Sequence, residues 1–290
     1  MIIDAHAHLW KKQAGIVDGK PVYDIGGGRS DFGGEIKQMM PPYMTDGENN
    51  IERFIVNMDY ACVSGAVITQ EYIDGNQDDY LKECKKIYKN RIKICSLYEE
   101  KEMGDITDFD GIKICAGRLK DKNLLNHIEP FKLANDNGKF ISIDLADGNE
   151  QTDMMQEIIK RFPDLRIAIG HFGMVTRENW LSQIELAKNK NVFIESGGIT
   201  WLFNEEFYPY PSGVDAINQA ADLVGFDKLM WGSDYPRTMT AITYKMSFDF
   251  VLKTDKISDE NKNKFLGENA VKFYGFNDLT IPAKIKNMVE

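Results

Sequence analysis

The chain has 290 residues and a formal net charge of −10, from 35 basic and 45 acidic side chains. That balance argues against an electrostatic grip on nucleic acid or anionic lipid, both of which rely on clustered Lys and Arg. With 43% hydrophobic and 11% aromatic residues, the composition is that of a globular protein with a sizeable core, long enough for one large domain.

Cys62, Cys84, Cys95 and Cys115 form no CxxC pair, so they read as reduced core thiols rather than a zinc knuckle or a disulfide framework. The opening MIIDAHAHLW has no basic n-region and no long apolar h-region, so no secretory leader is expected. No apolar run approaches the roughly 18 residues that a membrane helix requires. The expectation is a soluble, cytoplasmic protein that acts on a small molecule, with neither nucleic acid nor membrane as partner.

In chain order, the first strand is read at 2–8 (IIDAHAH). A long Gly-rich insertion at 10–49 follows, containing GGGR and MMPPYM; a loop of that length is usually functional or disordered. A helix over 50–60 places Ile51, Phe54, Ile55 and Met58 on one face. After a strand at 64–69, a helix over 78–89 carries Leu81, Cys84, Ile87 and Tyr88. Strands at 92–98, 111–116 and 140–145 come next, then a helix at 154–162 with Met155, Ile158, Ile159 and Phe162 on one side. Strands at 166–171 and 192–197 lead into an aromatic stretch at 200–213, TWLFNEEFYPYPSG. The last strand is at 228–234, and a terminal helix runs from about 258 to 276, opened by the Ser258-Asp259-Glu260 cap signal. The i, i+3, i+4 patterns suit helices packed on a sheet, and the Ile- and Val-rich strands suit parallel strands covered on both faces. Eight strands alternating with helices fit a closed (β/α)8 barrel, the TIM-barrel architecture of about 250 residues, better than an open doubly wound sheet. We read 1–290 as one domain whose insertion and aromatic stretch overhang the same mouth.

The chain contains four histidines. His6 and His8 lie two apart on a strand, so their imidazoles share a face, and neutral imidazole is the commonest transition-metal ligand. His171 stands where an apolar strand meets a glycine loop (IAIGHFG), and Asp234 ends the last strand (LMWGSDYP). A carboxylate there is expensive to bury unless paired or metal-bound. Ionisable residues at several strand ends of a barrel mouth read as catalytic.

DAHAHLW, GIKICAG, FISID, IGHFG, MWGSDYP and the ending GENAVKFYGF occur in the order of the amidohydrolase-related family, which the chain resembles over essentially its whole length. That branch includes aminocarboxymuconate semialdehyde decarboxylase, resorcylate-type decarboxylases, pyrone dicarboxylate lactonase and sugar lactonases. The resemblance implies that His6 and His8 are first-strand metal ligands, and that Asp234 is both a ligand and the group that helps activate the nucleophile. His171 matches an acid/base or substrate contact of decarboxylating relatives and a ligand of binuclear ones. The chain departs from the pattern at Asp144, where many relatives carry histidine. A site of His6, His8, Asp144 and Asp234 holding one divalent ion, Zn or Mn, is the reading that follows. Lys113 matches the bridging lysine of binuclear relatives, but without the fifth-strand histidine it is read instead as a cation that pairs with Asp144 or contacts substrate. Arg237 is placed to grip a substrate carboxylate, with Arg29, Arg118 and Arg177 as weaker candidates. Asp4 is read as orienting a ligand imidazole, and His127 as structural.

The function expected is a metal-dependent hydrolase attacking a small lactone or amide, carboxylated or hydroxylated, through a metal-activated water. The alternative is non-oxidative decarboxylation of an aromatic or enol carboxylic acid on the same site; hydratase or isomerase chemistry and a catalytically dead binding barrel rank below both. The aromatic loop at 201–210 is a candidate for closing a neighbour's site in a homodimer.

Overall fold

The computed structural model describes residues 1–288. Eight strands form one parallel sheet in sequential order: β1 (Ile2–His8), β2 (Val63–Thr69), β3 (Ile92–Leu97), β4 (Gly111–Ile114), β5 (Phe140–Ile143), β6 (Arg166–Ile169), β7 (Val192–Glu195) and β8 (Leu229–Met230). The segment after β8 returns to β1 and closes the barrel. Ala5 N donates to Trp231 O and Asp234 N to His6 O, each at 2.9 Å, and Ala7 bridges Tyr235 in parallel. β8 is shorter than the run 228–234 suggests: its ladder ends at Met230, and Asp234, further on, adopts a φ of 56°.

The helices form as the apolar spacing predicts, with two differences. The helix Ile51–Ala61 is capped by the Asn50 side chain, which accepts from Arg53 N, and buries Ile51, Phe54, Ile55 and Met58. In the helix Asp78–Tyr88, Leu81 and Cys84 are buried but Ile87 is exposed, because it sits at the edge of the stripe those two define. The terminal segment starts at the Ser258 cap but is not one helix. A π turn, Lys264–Glu268, separates Asp259–Asn263 from Asn269–Tyr274. There the Phe265 carbonyl turns out to accept from Trp231 N at 2.8 Å, tying the last helix to the closing strand.

The barrel floor is apolar: Ile3, Ala5, Val67, Cys95, Ala168 and Met230 pack with Tyr274 and Phe276. The β1–β2 register then slips between Asp4 and Ala7. An extra residue of this kind swaps which side chains face inward, so Ile3 and Ala5 give way to His6 and His8.

The insertion at 10–49 is neither an open loop nor disordered. It contains a four-stranded antiparallel meander of Ala14–Val17, Lys20–Asp24, Arg29–Phe32 and Ile36–Gln38. The meander docks on the segment after β2, where Ile16 N donates to Tyr72 O at 2.9 Å and Ala14 N to Asp74 O at 3.2 Å. Among the described residues no helix is long and apolar enough to cross a membrane. All four cysteines are free.

Gly15 lies at the docking seam, where a Cβ would stand 2.0 Å from Ile73 O. Gly15→Ala is therefore expected to destabilise the chain by about 1–3 kcal/mol, read as a lower urea midpoint. An unchanged midpoint would mean that the meander does not contribute to folding through this contact.

Candidate metal centre and active site

The chemistry-bearing side chains sit at the C-terminal ends of β1, β4, β5, β6 and β7 and just after β8, all on one rim. His6, His8 and Asp234 are buried. His6 Nδ1 lies 2.6 Å from Glu195 Oε1. A carboxylate only accepts, so Nδ1 carries the hydrogen and the lone pair of His6 sits on Nε2. That nitrogen faces His8 Nε2 at 3.0 Å and Asp234 Oδ1 at 3.9 Å, and His8 Nε2 is 3.0 Å from Asp234 Oδ1.

Three acceptor atoms drawn this close repel unless something positive lies among them. Tetrahedral zinc, with bonds of about 2.0–2.1 Å, spaces its ligands about 3.3 Å apart, which matches this triangle. His8 Nδ1 is buried without a hydrogen-bond partner, 3.8 Å from Asp74 Oδ2, so the carboxylate beyond the ring is placed to favour a hydrogen on Nδ1 and a lone pair on Nε2. The residues present therefore fit a divalent cation.

The electrostatics point the same way. Burial, with Arg237 adding to it, holds His8 well below its ordinary value, which favours the neutral ring that a metal would require. Burial alone would raise Asp234, but the adjoining His8 and Arg237 outweigh it and hold the carboxyl below the usual carboxylate range.

A second group, His6, Asp144 and His171, shares His6 with the first, and a third comprises Glu71, Cys115 and Asp144. In these, protein cations already stand beside the carboxylates. Lys113 Nζ is 2.6 Å from Asp144 Oδ2, and Arg118 Nε is 3.0 Å from Glu71 Oε1. Burial alone would raise Asp144, but Lys113 outweighs it and holds the carboxyl well below the usual range. His171 Nε2 is 3.6 Å from Asp144 Oδ2, and His171 Nδ1 donates to Gly197 O at 2.9 Å. Burial would lower His171, yet Asp144 pushes it up to about 10.

Of the residues singled out in the sequence, His6, His8 and Asp234 converge, and the His171 ring lies 4.7 Å from that of His6. Asp144 belongs with Lys113 and His171 and does not join the first group. Arg237 is not free: its Nη2 donates to both oxygens of Asp74, at 2.9 and 2.8 Å. Its Nη1 has no hydrogen-bond partner and lies 3.9 Å from Asp234 Oδ1. Asp4 touches neither imidazole. The register slip turns it away from them, and it accepts from Ser233 N and Oγ, Tyr244 Oη and His6 N. Burial raises it to about 6. Arg177 pairs with Asp147 at an exposed position, and Arg29 Nε donates to Gly26 O. His127 bonds Tyr98 Oη and Asp121 O, each at 2.9 Å, away from the site.

Three residues escaped the sequence reading. Glu195 does the work assigned to Asp4. Its position at the end of an apolar strand (VFIESG) is the signal that had picked out Asp234. A Cβ on Gly232 would come within 2.7 Å of both Glu195 Oε2 and His6 Cβ, so that glycine leaves room for the pair. Asp74, in the segment after β2, gave no sequence signal. Trp201, inside the aromatic stretch, donates from Nε1 to Asp234 Oδ2 at 2.8 Å.

The amidohydrolase family profile matches residues 3–276. The chain belongs to the amidohydrolase family. None of the curated proteins matches this amidohydrolase in sequence. Among solved structures, an amidohydrolase from Burkholderia multivorans with bound zinc is similar, with 16% identity, a TM-score of 0.72, and coverage of 96% of this chain and 100% of that one. A probable 2-pyrone-4,6-dicarboxylic acid hydrolase from Acinetobacter baumannii, with citric acid bound, gives 17% identity, a TM-score of 0.68, and coverage of 95% and 99%. A 5-carboxyvanillate decarboxylase from Novosphingobium aromaticivorans, complexed with manganese, gives 19% identity, a TM-score of 0.54, and coverage of 77% and 79%. At these identities the likeness carries the barrel fold, and the site rests on its own geometry.

Glu195→Gln is expected to weaken divalent-metal affinity by about 10–100-fold with an unchanged circular dichroism spectrum. Competition against a chromophoric chelator measures this; affinity within twofold of wild type would remove Glu195 from the site.

Proposed function

We propose that this amidohydrolase is a metal-dependent hydrolase that opens a small lactone or amide with water. The observation carrying this reading is the convergence of His6 Nε2, His8 Nε2 and Asp234 Oδ1 beside the His171 ring. His6, His8 and Asp234 would hold a divalent cation, zinc or manganese, which would supply carbonyl polarisation and a water acidified to a pKa of about 7.

The chain's own groups supply the proton transfers. Asp234 takes a proton from the attacking water as the new C–O bond forms. His171, whose Nδ1 is committed to Gly197 O, has Nε2 left for proton transfer, 3.6 Å from Asp144 Oδ2. From there it protonates the oxygen or nitrogen that leaves as the C–O or C–N bond breaks. Asp144 keeps His171 charged for that step, and Lys113 neutralises Asp144 at the same oxygen, Oδ2. Arg237 Nη1 is available to a substrate oxygen while Asp74 holds the rest of the guanidinium.

One observation favours decarboxylation as the second reading. Asp234 is held ionised, with Oδ2 accepting from Trp201 Nε1, which leaves His171 as the readiest proton donor. Decarboxylation needs such a donor to protonate the carbon that loses CO2.

Metal-loaded protein assayed against lactones, amides and carboxylated phenols separates the two: acid release from a lactone or amine release from an amide supports hydrolysis, and CO2 release from a carboxylated phenol supports the second reading. Asp234→Asn is expected to cut kcat/KM by about 10²–10⁴-fold with the fold intact, while His127→Ala stays within twofold of wild type. Near-normal turnover in Asp234→Asn would contradict the role given to that carboxylate.

A further inference from the structure

The five residues after Ser196 reach three of the groups that make up the site. Gly197 N donates to Glu195 Oε2 at 2.6 Å, and Gly197 O accepts from His171 Nδ1 at 2.9 Å. The short helix Ile199–Leu202 then carries Trp201 back over Gly198, so that the indole Nε1–H donates to Asp234 Oδ2 at 2.8 Å. Gly198 has a φ of 72°, and a Cβ there would stand 1.7 Å from Trp201 Nε1. The indole reaches the carboxylate only because position 198 carries no side chain. Beyond Trp201 the chain runs outward to Phe207, whose ring is 92% exposed.

The two oxygens of Asp234 thus have different partners. Oδ1 faces His8 Nε2 at 3.0 Å, on the side where the three acceptors converge, and Oδ2 is held by the indole. A carboxylate at a strand end can rotate about its last torsion and exchange its oxygens. A hydrogen bond to one of them, in a buried setting, removes that freedom.

We propose that Trp201 is a positioning residue: its indole N–H fixes the rotation of Asp234 so that Oδ1 stays presented to the cation. This rests on the metal reading of the site, but the contact can be tested without metal. The chain has four tryptophans, so its ¹⁵N-labelled metal-free form gives a small set of indole resonances. Trp201→Phe assigns the Trp201 signal by its loss. Asp234→Asn, which removes the charge on the acceptor, is expected to shift that signal upfield. The indoles of Trp10 and Trp231, which donate to Gly47 O and Ser247 O, should stay in place. A Trp201 resonance unmoved by Asp234→Asn would overturn the proposal.

The second readout is Mn²⁺ affinity measured by electron paramagnetic resonance. Trp201→Phe keeps an aromatic ring but loses the N–H, and affinity should fall by about 10–100-fold. Gly198→Ala keeps the indole but drives it off Asp234, and should give a similar loss. Affinity within twofold of wild type in both variants would mean that Trp201 merely packs. Wild-type protein that takes up no Mn²⁺ would sink the metal reading and with it the cation half of this proposal, while the indole shift still decides the contact.

Discussion

The organisation of the mouth depends on the 2.6 Å contact between His6 Nδ1 and Glu195 Oε1. By fixing the hydrogen on Nδ1, the carboxylate aims the other nitrogen's lone pair at His8 and Asp234. In water such a choice of tautomer would cost little to reverse. Inside the barrel, where His6 and Glu195 are both buried, a mismatched tautomer would leave two acceptors face to face. The remaining groups follow from that choice. Asp74 stands behind His8 and Trp201 behind Asp234, so each group facing the triangle has a partner on its outer side.

The fold makes this arrangement possible through two local departures from regularity. The register slip in β1 switches the inward side chains from Ile3 and Ala5, which fill the floor, to His6 and His8, which line the mouth. At the other end of the chain, Asp234 lies beyond the end of β8 with a positive φ, at the closing seam where its N–H bonds His6 O. His171 and Asp234, two of the side chains with positive φ, stand at the site, where such backbone is often kept for function. A further polar layer, Lys113 with Asp144 and His171, lies beside the triangle. There a fully buried ammonium is kept charged by a carboxylate 2.6 Å away.

The barrel was legible because its signal is repetitive: eight apolar runs, several of them followed by a helical stripe, need no knowledge of distant contacts. His6, His8, His171 and Asp234 were legible for a related reason, since each is a polar residue at the end of an apolar strand. Glu195 obeyed the same rule but was passed over. It is one of 45 acidic residues, and the partner that gives it meaning is 189 positions away. The role given to Asp4 rested on strict alternation along β1, which the register slip breaks. Nothing in the sequence marked that slip, which shows only in the pairing with β2. The meander was hidden by its glycines, which read as loop punctuation although they serve tight turns and a close docking seam. Arg237 looked like a free anion grip because Asp74 lies 163 residues away.

The central claim, that His6, His8 and Asp234 hold one divalent cation, is tested most directly by anomalous diffraction from a crystal soaked in zinc. A single strong peak is predicted about 2.0–2.2 Å from His6 Nε2, His8 Nε2 and Asp234 Oδ1. A peak lodged instead among Glu71, Cys115 and Asp144, or no peak at all at the barrel mouth, would contradict it.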